Sequence, residues 1–103
     1  MAKFRYRMQN ILNIKEKLEM QAKNEFAAAN MELLEEQERL SVMLQENAAL
    51  QEEGRKLRQK ESLSIRDIAD NSLSVSLMKE KMKRQALAIH RAEQKVEEKR
   101  KAM

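Results

Sequence analysis

Apolar residues recur at helical spacing along two arms of this chain, and only the stretch from Gly54 to Asp67 interrupts them. No proline is present to end either arm. In the first arm Ile11, Lys15, Leu18, Ala22, Phe26, Ala29, Leu33, Gln37, Leu40 and Leu44 follow steps of four, three and four, which is an eleven-residue repeat. From Leu40 onward Met43, Asn47, Leu50, Gly54 and Leu57 follow a seven-residue repeat instead. The longer repeat keeps a supercoil nearly straight and the shorter one winds it left-handed, so the first arm is expected to be one long helix whose supercoil changes along its length.

The second arm is a plain heptad. Ile68, Val75, Met82, Ile89, Val96 and Met103 recur every seven residues, with Asn71, Met78, Gln85, Ala92 and Lys99 at the other seam position. Polar side chains at that second position weaken the seam. Ser64 followed by Asp67 three residues on resembles a capping box with Asp for the usual Glu or Gln. The spacing therefore predicts helix one over about 3–60, a turn over about 61–64 and helix two over about 65–103.

Two helices joined by a short connection pack as antiparallel neighbours, so the expected fold is all-α: a single coiled-coil domain of two long helices in a hairpin. Folding about residue 62 or 63 sets Met43 opposite Met82, Leu50 opposite Val75, Leu33 opposite Ala92 and Ala29 opposite Val96. The same fold leaves a remainder. Met103 reaches only as far as Ala22, and an N-terminal helical overhang of ~20 residues, roughly 30 Å long, projects past the pair. That overhang carries Phe4, Met8, Ile11, Leu12, Ile14 and Leu18. An isolated helix with such a stripe is marginal in water, so another chain, another partner or further C-terminal sequence is expected to cover it.

Composition agrees with a rod. Of 103 residues, 37% are charged and 3% aromatic, which suits a coiled coil and not a compact core. Cysteine is absent, so neither a disulfide framework nor a thiolate metal site exists. The net charge of +4 conceals blocks: residues 1–23 hold six Lys/Arg against two Glu, 24–53 hold one Arg against eight Glu, and 79–103 hold nine Lys/Arg against four Glu. The hairpin lays the last block beside the acidic one, and this complementarity favours the antiparallel orientation.

Candidate chemistry is sparse. A two-helix hairpin offers no concave pocket for a substrate, so the chain is expected to be neither an enzyme nor a cofactor binder. His90 is the only histidine, follows the seam residue Ile89, and reads as a solvated side chain with no second His or Cys to complete a site. The glutamates lack the Glu-x-x-His pattern of di-iron bundles. Met43, Met78, Met82 and Met103 fill predicted seam positions, while Met8, Met20 and Met31 do not. Gly54 also falls in the seam, where glycine costs about 1 kcal/mol against alanine, and reads either as loosening near the turn or as a kink used by a partner. The basic residues are matched by Glu and lack stacking aromatics, so nucleic acid is not an expected partner. Residues 1–23 have the basic amphipathic character of a membrane-surface helix, but pairing with a partner helix explains the stripe equally well.

The opening Phe4-Arg5-Tyr6-Arg7-Met8-Gln9-Asn10-Ile11-Leu12, followed by Lys15-Glu16, resembles the start of the FliJ family of flagellar export proteins. Over the rest of the chain the likeness is architectural: a long first helix, a Ser-rich turn and a second helix with the run Ala92-Glu93-Gln94-Lys95-Val96-Glu97 near its end. The resemblance implies a non-catalytic stalk of the flagellar type III export apparatus, cytoplasmic and peripherally associated with the membrane-embedded machinery. It implies three partners: the export ATPase ring, a membrane protein of the export gate, and export chaperones. The residues matching the ring-contacting end are Phe4, Arg5, Tyr6, Arg7, Met8, Ile11 and Leu12. The region corresponding to the gate contact offers Met43, Asn47, Leu50, Ser74, Met78 and Gln85, without the aromatics that some members carry there. Members extend further at the C-terminus, so this sequence is expected to be a shortened form, or else a short protein that pairs its overhang by self-association. The alternative function is a structural coiled-coil spacer or oligomerisation module of another assembly.

Overall fold

Ser64 starts the second helix. Its backbone is extended (φ −98°, ψ 106°), its hydroxyl accepts from the Asp67 amide at 3.3 Å and its carbonyl accepts from the Ile68 amide at 3.0 Å. One otherwise orphaned donor of the first turn is thereby satisfied. The computed structural model describes residues 2–103 and contains α1 (Ala2–Gln59), a connection over 60–64, and α2 (Ile65–Ala102). Lys56 and Arg58 close α1, and Lys99, Arg100 and Lys101 close α2, where cations complement the exposed carbonyls. The expected boundaries hold to within two residues.

The two helices pack against each other as a hairpin 93 Å long and 15 Å across. The fold is all-α, as the two arms predict. Gly54 lies directly against Asn71, which is the register obtained by folding about residue 62 or 63. The same register places Leu50 with Val75 and Met43 with Met82, all of them half-buried.

The seam differs from expectation in its first arm. Ala22, Phe26, Ala29, Leu33, Glu36, Leu40, Met43, Asn47, Leu50, Gly54 and Leu57 are the positions turned inward, at steps of four and three throughout. Gln37 and Leu44 stay exposed, Leu44 at 53%. The eleven-residue repeat therefore does not govern the paired span. The reason is the partner: α2 is heptad from Ile68 to Lys99, and two helices stay in contact over such a length only if both keep one period. Glu36 sits one residue before Gln37, the side chain expected in its place, whereas Met43, Asn47, Leu50, Gly54 and Leu57 turn inward as the heptad from Leu40 onward predicts.

Small and polar side chains hold much of this seam. Ala29 and Ala92 are its most buried apolar residues, and Asn71 and Gln85 are buried with them. The Asn71 amide donates from Nδ2 to the carbonyl of Leu50 at 2.8 Å. Gln85 Nε2 donates to the Glu36 carbonyl at 2.8 Å and to its carboxylate at 2.6 Å. Asn47 Oδ1 is buried without a partner. α1 runs on through Gly54 to Gln59 with no positive φ, and the missing side chain leaves room for Asn71.

Opposite charges do face each other across the pair. Lys95 meets Glu32 at 3.0 Å and Lys99 meets Glu25 at 3.3 Å. Arg39–Glu36, Arg55–Glu52, Lys83–Glu80 and Arg100–Glu97 are instead made within one helix, three residues apart. Charge thus guides orientation at the end nearest the overhang and supports each helix elsewhere.

Candidate functional site

α2 ends beside Ala22, and beyond it α1 continues alone. Every residue from Ala2 to Gln21 is exposed. At 1.5 Å per residue this unpaired stretch is about 30 Å long. Its large apolar side chains remain in water: Phe4 is 68% exposed, Ile11 62% and Leu18 60%.

Helical geometry sorts the terminal residues onto faces. Phe4, Met8, Ile11 and Leu18 form one stripe with Lys15 and Ala22, at steps of four and three. Leu12 borders it on one side and Ile14 on the other. Arg5 and Arg7 likewise flank it. Tyr6, two residues from both Phe4 and Met8, lies on the opposite face. The seven residues singled out by sequence therefore do not make one surface; six can meet a single partner and Tyr6 turns away from it.

The overhang meets the paired segment at a notch. Lys15, Leu18, Glu19, Ala22 and Lys23 of α1 line it with Ala102 and Met103. Met103 is 59% exposed, although its heptad position points into the seam. Sequence alone had placed Met103 opposite Ala22. The notch itself was missed, since it needs the small side chain of Ala22 and the ending of α2 to be considered together. Just inside it, the hydrogen bond from Lys99 holds the Glu25 carboxyl below its usual pKa, with Gln21 donating a second hydrogen bond that acts the same way.

The other group of sequence candidates is placed differently. Met43, Asn47, Leu50 and Met78 are half-buried and Gln85 is buried in the seam; Ser74 is exposed. Other open hollows lie along the rod, among them one between Glu32 and Arg91 and one between Leu50 and Asp70. His90 is exposed. Among the described residues no group of His, Cys, Asp and Glu is gathered to hold a metal, and no helix is long and apolar enough to cross a membrane. No family model, curated protein or solved structure matches the chain.

Proposed function

We propose that this chain is a non-catalytic stalk and adaptor of the flagellar type III export apparatus. Its helical overhang docks on the export ATPase ring, and the protein works in the cytoplasm at the membrane-embedded machinery, where it engages the export gate and export chaperones. The observation that carries this reading is the overhang itself, a basic helix with an apolar stripe that outruns its partner by some 30 Å. The sequence resemblance falls on the same residues. A binding surface that is preformed, helical and narrow fits insertion into a ring and contacts that exchange readily.

Pull-down of the export ATPase by the intact chain and by Phe4→Ala/Ile11→Ala tests it. The intact chain should recover the ATPase and the variant should recover roughly tenfold less, since two exposed anchors are lost. Equal recovery by both would contradict the terminal contact.

A structural spacer is the second reading, favoured by the rod shape of 93 × 15 × 15 Å. It predicts neither ATPase recovery nor stimulation, with the chain acting only as a rigid link.

A further inference from the structure

The overhang's stripe is complementary to itself when two copies are laid antiparallel. Antiparallel coiled coils match the two kinds of seam position with each other. Applied to this stripe, that rule sets Phe4 of one copy against Ala22 of the other, Met8 against Leu18, and Ile11 against Lys15. The bulky ring meets the smallest side chain. Lys15 lays its aliphatic stem on Ile11 and keeps its ammonium in water.

The residues beside the stripe fit the same arrangement. Leu12 meets Leu12 and Ile14 meets Ile14 across the twofold axis, so the two apolar residues bordering the stripe are both covered at the centre of the contact. On the flank that holds Leu12, Arg5 of one copy faces Glu19 of the other, and the pair occurs twice. We propose that the overhang is a homodimerisation surface, joining two hairpins end to end through an antiparallel pairing of residues 4–22.

The notch supplies an independent observation. It contains Leu18, Ala22 and Met103 where the second copy's Phe4 would seat, and Glu19 where its Arg5 would reach. The stripe reaches Ala22 and the seam leaves it by two successive steps of four, Leu18 to Ala22 to Phe26, which rotates the stripe by roughly 50° about α1 relative to the seam. The second copy's first turn therefore passes beside the end of α2. Four basic residues against two acidic ones in each 4–22 segment oppose the contact, so the dimer is weak and concentration-dependent. The inference is independent of the export reading. The same stripe serves a second copy when the chain is alone and concentrated, and is free for another partner when the dimer dissociates.

Small-angle scattering of the full chain over a concentration series, combined with cross-linking, tests the pairing. Two 93 Å rods overlapping by about 28 Å form a particle about 160 Å long, whereas side-by-side pairing stays near the length of one rod. The chain has no cysteine, so Met8→Cys and Leu18→Cys can be introduced singly. A mixture of the two variants should give disulfide-linked dimer in excess of either alone. Arg5→Glu should weaken the dimer several-fold, and adding Glu19→Arg should restore it. A monomer throughout the series, a dimer no longer than one rod, or cross-linking equal for mixed and single variants would overturn the proposal.

Discussion

Asn71 occupies the space that a side chain at Gly54 would need: a Cβ built on Gly54 overlaps Asn71 Oδ1. From that position the Asn71 amide donates to the Leu50 carbonyl. Glycine at this helical site is thus a consequence of the residue facing it. Gly54→Ala should destabilise the hairpin by about 1 kcal/mol, because displacing Asn71 costs more than the gain in helix propensity. Thermal unfolding checks it, and Gly54→Ala/Asn71→Ala should recover most of the loss.

Gln85 ties α2 to both the main chain and the carboxylate of Glu36. Gln85→Ala should cost about 2 kcal/mol, from a lost charge-assisted bond and the space left in the seam. Replacing both residues, as Glu36→Leu/Gln85→Leu, should instead raise the melting temperature above that of the parent, since a well-packed apolar layer is at least as stable as a buried polar one. Urea titration of the three proteins measures both effects.

Asn47 contributes a buried oxygen that no donor meets. Asn47→Leu removes that penalty and adds apolar contact with α2, so stability should rise by about 1–2 kcal/mol. For a chain of this size the melting temperature should increase by about 4–8 °C per kcal/mol. No increase would mean that Asn47 finds a partner in solution.

Acid should loosen the end of the pair next to the overhang. Glu25 has its folded pKa held below the ordinary carboxylate range, first by the hydrogen bond from Lys99. A depressed carboxyl contributes stability that is present above its unfolded pKa and is lost as pH falls through the folded one. Stability should therefore decline below about pH 4.5, and Glu25→Gln should flatten that decline. Unfolding measured from pH 6 down to pH 3 compares the two slopes.

Much of the fold was legible because its signals were local. The heptad of α2, the Ser64 cap and the Gly54–Asp67 interruption each follow from a few neighbouring residues, and the hairpin follows from joining two such arms. The phase of α1 was harder. Glu36 adjoins Gln37, so a one-residue difference separates the two repeats there, while from Leu40 onward the heptad already set Met43 opposite Met82. Packing against α2 decided it, which no reading of α1 alone could show. The overhang was legible from unequal arm lengths, and its exposure matches that expectation. The notch was not, because Met103 and Leu18 come from opposite ends of the sequence.

Hydrogen exchange tests the docking end most directly. In the free protein the amides of residues 3–20 should exchange faster than those of 22–57, since only the latter are backed by a second helix. On adding the export ATPase, protection should appear at 3–20 while the paired span remains unchanged. Protection confined to the turn around 60–64, or none anywhere, would contradict the account.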